Sequence, residues 1–200
     1  MVKKKEGGEL KCRADSFVVE THVHFPTDIS LLFDATRKVI SLVSELCNKY
    51  GFTEWRQSEY NIRQIKRLMR SAQNKKRSKA KDEAKKTLQE ALVIEAHQAY
   101  IDAAKSYITK ATASLVTLES TNISNVQDVK TIQEIKRFTI DSVRQISQIN
   151  RRVILGESIP HDEKVFSIFQ PHTEWISKGK AGVPVELGLK VCVIEDQYQF

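Results

Sequence analysis

The period of this chain changes twice, and that constrains its fold more than any other feature. Between Arg13 and Phe25 the residues alternate. Phe17, Val19, Thr21 and Val23 share one parity; Ser16, Val18 and Glu20 share the other. A period of two in β-branched and aromatic residues predicts a strand within about residues 8–25. Pro26 closes it, because proline has no N–H for a ladder. From Thr27 to about Glu157 the apolar residues recur every three or four positions, the mark of helices. Alternation then returns, with Val185, Leu187, Leu189, Val191 and Val193 set against Glu186, Gly188, Lys190 and Cys192. A chain ordered this way is α+β, with strands on either side of a large helical block.

Inside the block, Thr27 or Asp28 is placed to cap the first helix. Its apolar stripe is Leu31/Leu32, Ala35, Val39, Leu42/Val43 and Leu46, and Gly51 is a left-handed stop. A second helical region covers about Ser58 to Leu118, with a break near Ser71–Asn74. Its later half carries Val93, His97, Tyr100, Ala104, Tyr107, Ala111, Leu115 and Leu118 on one seam, which makes His97 a core histidine. Ser124 and Gln127 match a capping box. Ile132, Ile135, Thr139, Ser142, Ile146, Ile149 and Val153 then form a heptad seam ending at Gly156. Two long helices joined by a short loop predict an antiparallel helical hairpin. Ile140 and Val143 are expected to widen its buried stripe where Thr139 and Ser142 weaken it. Beyond the block, Val165–Phe169 is a short strand candidate. Glu195–Tyr198 reads as a hairpin turn, with Phe200 opening a returning strand, so the domain is expected to be truncated in mid-hairpin.

The 200 residues suit one domain, or one domain with an insertion. Lys and Arg number 32 against 25 Asp and Glu, and the net charge of +7 favours a polyanionic partner. The cations concentrate in Arg63, Lys66, Arg67, Arg70, Lys75, Lys76, Arg77, Lys79, Lys81, Lys85 and Lys86. This cluster is either a phosphate-binding surface or a solvated helix face; as a surface its binding would fall steeply with salt. Lys75, Lys76, Arg77 and Lys79 are its candidate DNA contacts, joined by Lys178 and Lys180 from a loop. No aromatic residue interleaves the cluster, so stacking on unpaired bases is not indicated. Cys12, Cys47 and Cys192 have no zinc spacing and read as buried free thiols, suited to a reducing cytoplasm. His22 and His24 share a face but have no third ligand. Gly179-Lys-Ala-Gly182 lacks the phosphate-loop pattern. No secretory leader and no run of about 20 apolar residues is present, so no membrane partner is expected.

Asp15 stands within an otherwise apolar strand, where a carboxylate is costly unless paired, metal-bound or facing solvent. Asp15-Ser-Phe-Val-Val-Glu-Thr-His-Val-His-Phe-Pro-Thr-Asp28 with Leu31-Leu32, Arg151-Arg-Val-Ile-Leu-Gly-Glu-Ser-Ile-Pro160, and the stretch Lys164–Glu195 resemble an insertion-sequence transposase. The family is the DDE, RNase H-like class, in the ISNCY-type group. The resemblance implies an incomplete RNase H-like sheet. Residues 1–26 would hold its first strand, 27–158 a helical insertion, and 159–200 the returning strands. Asp15, with Asp28 as the lesser alternative, matches the first acidic residue of the DDE triad and would be a Mg²⁺ ligand. In that chemistry two Mg²⁺ ions serve cleavage and transfer of DNA strands. The second Asp and the Glu would lie past residue 200; Glu186, Glu195 and Asp196 do not match their motifs. No counterpart of the family's N-terminal DNA-binding region precedes Asp15. The resemblance thus implies a transposase fragment, inactive alone, whose partner is DNA at transposon ends. It leaves a homo-oligomer open and implies a nucleoid-associated cytoplasmic location. The alternative is a non-catalytic, basic helical module for DNA binding or oligomerisation.

Overall fold

Thr27 opens the first helix, α1 (Asp28–Lys49), in a computed structural model that describes residues 11–75, 81–121, 123–178, 182 and 184–196. Its hydroxyl accepts from the Ser30 N–H at 3.1 Å, and its own N–H donates to the Ser30 hydroxyl at 3.1 Å. Both donors are thereby satisfied reciprocally. Gly51 follows the helix with φ 79°, in the region only glycine adopts freely. Three further helices succeed it: α2 (Ser58–Asn74), α3 (Glu83–Glu119) and α4 (Val126–Ile149). The 37 residues of α3 span about 55 Å.

These helices form one compact unit, residues 26–168. The division falls at 25/26 and 168/169, where the sequence reading placed it at 26/27 and 158/159. α1 lies at the centre and packs on all three other helices. It can do so because its buried surface is broad: Leu31, Leu32, Ala35, Val39, Ile40, Leu42, Val43, Leu46 and Cys47. Contacts at both ends set the directions. Asp28 at the start of α1 is 2.9 Å from Arg152, just past the end of α4. Lys49 at the end of α1 is 2.7 Å from Asp128 in the first turn of α4. The two helices therefore run antiparallel. The Tyr100 hydroxyl donates to the Ile29 carbonyl at 3.0 Å, and the Trp55 indole donates to Ser114 at 2.9 Å, so α3 runs in the same sense as α1.

Several expectations for this unit change. α3 and α4 are antiparallel neighbours, joined by an ion pair between Glu119 and Lys136, but α4 packs mainly on α1. Ile140 and Val143 are exposed; Phe138 and Gln145 are buried in their place. The buried face of α4 is set by where α1 lies, so it drifts from the heptad seam. Asn125, not Ser124, caps α4, accepting from the N–H groups of Gln127 and Asp128. A π-helical turn, Asn150–Ile154, ends the helix before Gly156 at φ 71°. Residues 165–169 form no strand; Ile168 instead packs into the helical core.

Residues up to 25 and from 169 form the second unit. It holds an antiparallel sheet of three described strands in the order β1 (Cys12–Glu20), β3 (Val185–Asp196), β2 (Glu174–Ser177). The last strand is central. Asp15 faces Val193, Phe17 faces Val191 and Val19 faces Leu189. Directly opposed residues share a face, so Asp15 belongs to an apolar face in which Phe17, Val19, Leu189 and Val193 are exposed. Glu195 and Asp196 do not turn: they continue β3, opposite Arg13 and Cys12. The rest of the expected turn, with Phe200, lies outside the described residues. Gly188 is required by crowding, since a Cβ there would collide with the Val19 carbonyl oxygen.

Candidate nucleic-acid interface

The cations that the helical unit presents to solvent are best ordered on α2. Its apolar side, Ile65, Met69 and Ala72, is buried. Arg63, Lys66, Arg67 and Arg70 are all exposed. Their spacing of i, i+3, i+4 and i+7 puts them on one face within about 100° of arc. They extend about 10 Å along the axis. None of the four forms an ion pair with a described residue, and Glu59 is the only acid on the helix. Burying one side of α2 forces its cationic side outward, so the stripe follows from the amphipathic pattern.

Asp82 caps α3 by accepting from the Ala84 N–H at 3.1 Å, and the first turns of α3 carry Lys85 and Lys86. These two lysines lie within 4.0 Å of Asp82 and Glu83 respectively. Such exposed pairs are weak, but they leave less free charge there than on α2.

The residues singled out by sequence are scattered. Lys75 is exposed at the end of α2. Lys76, Arg77, Lys79 and Lys180 lie outside the described residues. Lys178 is only partly exposed and forms an ion pair with Glu186 at 3.0 Å. Asp15 is exposed on β1, and one of its carboxylate oxygens accepts from the Ser16 N–H at 2.8 Å. Among the described residues no three His, Cys, Asp or Glu side chains gather to hold a metal. Among the described residues, Asp15 and its neighbours do not supply the ligand set of a two-Mg²⁺ site. Asp28 is committed to Arg152, as an ion pair whose angle is not that of a hydrogen bond. His97 is buried, with Nδ1 2.7 Å from the Val93 carbonyl oxygen, a satisfied core position. Cys47 is buried, and burial pushes its thiol up. Cys12 and Cys192 are exposed, against expectation, on the same face of the sheet. No helix among the described residues is long and apolar enough to cross a membrane.

Neither protein-family models, nor curated proteins, nor solved structures yield a match. The chemistry must be read from the side chains.

One exposed aromatic residue escaped the sequence reading. Tyr60 is half exposed, one turn before Arg63, and lines a cleft with Arg56, Gln57, Glu59 and Arg63. An aromatic ring does border the basic stripe. Its signal was the i, i+3 spacing of Tyr60 and Arg63 on α2.

Proposed function

We propose that this chain binds DNA through the basic face of α2, as a non-catalytic part of a DDE-class transposase. The observation that carries the DNA reading is the row Arg63, Lys66, Arg67 and Arg70, exposed and without ion pairs among the described residues. Lysine and arginine in such a row engage the phosphate backbone without reading sequence. The transposase reading rests on the resemblance of the segments around Asp15, Gly156 and Lys164–Glu195. Asp15 alone supplies no two-metal chemistry, so the chain contributes binding and no strand cleavage. Its Mg²⁺, transposon-end specificity, self-association and nucleoid location belong to that same reading of the intact family.

Salt dependence tests it. Four phosphate contacts give a slope of log K against log salt near −3.6 on duplex DNA, roughly a hundredfold loss between 50 and 200 mM salt. Replacing Arg63, Lys66, Arg67 and Arg70 by Gln is expected to flatten that slope by about three to four. Binding that ignores salt, or that survives the fourfold variant unchanged, would overturn the proposal.

A further inference from the structure

Arg56, Glu59, Tyr60 and Arg63 surround an open cleft of about 500 Å³ at the start of α2. It is a shallow surface depression, open to solvent and lined by polar side chains and one aromatic ring. The backbone on one side of it is held by a turn. Arg56 belongs to the turn between α1 and α2, where its N–H donates to the Thr53 carbonyl and the Ser58 N–H donates to the Trp55 carbonyl. Trp55 anchors that turn and is fully buried. Its indole donates to Ser114 at 2.9 Å, its carbonyl accepts from Ser44 at 3.2 Å, and the Lys110 ammonium sits 4.4 Å from its ring centre. Arg56 projects from this anchored turn and Arg63 from the second turn of α2, and neither is paired with a described acid.

The four side chains divide into complementary chemistries. Two guanidinium groups suit a phosphate, which they bind in a planar, bidentate manner. Tyr60, 50% exposed, offers an aromatic surface on which any base can stack. Glu59 accepts hydrogen bonds only, which suits an exocyclic amino group on a base. A paired base inside a duplex cannot reach a ring on the protein surface; an unpaired one can.

We propose that this cleft holds one unpaired nucleotide at a DNA end, its phosphate between Arg56 and Arg63 and its base on Tyr60. The inference rests on the reading of α2 as the DNA-binding face and adds the form of DNA preferred. Lys66, Arg67 and Arg70 would take the adjoining duplex, and Arg63, at the junction of row and cleft, would hold the phosphate of the overhanging nucleotide with Arg56.

The test compares fluorescence anisotropy titrations of the full chain with a blunt duplex and with the same duplex carrying a short single-stranded overhang. Stacking of one base is expected to favour the overhang by about tenfold. Tyr60→Leu should abolish the preference for the overhang, and Arg56→Gln should reduce it. Tyr60 and Arg56 are exposed, so both variants should fold, which circular dichroism checks. Equal affinity of the unaltered chain for the two probes would overturn the nucleotide site and leave the duplex reading standing. So would a preference that persists in Tyr60→Leu. Failure to bind either probe would overturn both.

Discussion

Two glutamines one turn apart on α4 should respond oppositely to the same substitution. Gln145 is fully buried, and neither its amide oxygen nor its amide nitrogen has a hydrogen-bond partner among the described residues. Gln148 is also buried, but its amide donates to the Glu163 carbonyl at 2.6 Å and so ties the loop after α4 to the helix. Burying an amide without partners costs about 1–3 kcal/mol by mutational measures. Methionine has similar length, similar helix propensity and no such groups to desolvate. Gln145→Met should therefore stabilise the fold by about 1–2 kcal/mol, after allowing for slight overpacking. The melting temperature should rise by roughly 3–6 °C for a chain of this size. Gln148→Met should instead destabilise by about 1 kcal/mol, having removed a hydrogen bond and orphaned a carbonyl. Urea titrations with unchanged m values measure both. A loss of 1 kcal/mol or more in Gln145→Met would refute the reasoning, because it would mean that the amide is satisfied in the folded chain.

Other consequences are equally direct. Gly188→Ala should cost about 1–3 kcal/mol, since the new methyl group forces β1 away from β3; loss of amide-exchange protection in β1 and in the β3 amides that face it would report it. Hydrogen bonds from Lys49 and Tyr50 hold the Asp128 carboxyl below the usual carboxylate range. A lowered folded-state value stabilises above the unfolded value near 4, and that contribution is lost as pH falls through the folded one. Melting curves of the unaltered chain should thus lose more stability than those of Asp128→Asn as the pH falls below about 4. Asp15→Asn should leave DNA affinity unchanged, and neither form should cleave DNA with Mg²⁺; cleavage abolished by this substitution would contradict a non-catalytic chain.

Much of the local structure was legible because it depends on neighbours in sequence. Thr27 caps α1 with a residue three positions on, and Gly51 stops it with its own backbone. The break after Asn74 and the buried His97 follow from the helical pattern. The basic face of α2 was visible as a cluster, and its ordering as a single row followed once Ile65, Met69 and Ala72 were buried. Val165–Phe169 misled because a short apolar run has the same pattern whether it joins a sheet or covers a core. Here Ile168 covers the core.

By itself, then, the sequence determined the periods, the helix starts and stops, and the excess of cations. Tertiary structure decided how those elements are used. Period describes one element's own face, whereas burial depends on the surface that another element brings against it. The broad apolar face of α1 draws α4 to itself, leaving Ile140 and Val143 in solvent and Gln145 in the core. β1 meets the central strand β3 across more than 160 residues of chain, so neither strand alone encodes their order or register. The turn fixed by Trp55 brings Arg56 to the same cleft as Tyr60 and Arg63. The buried indole and the turn's own backbone hydrogen bonds hold Arg56 beside the start of α2.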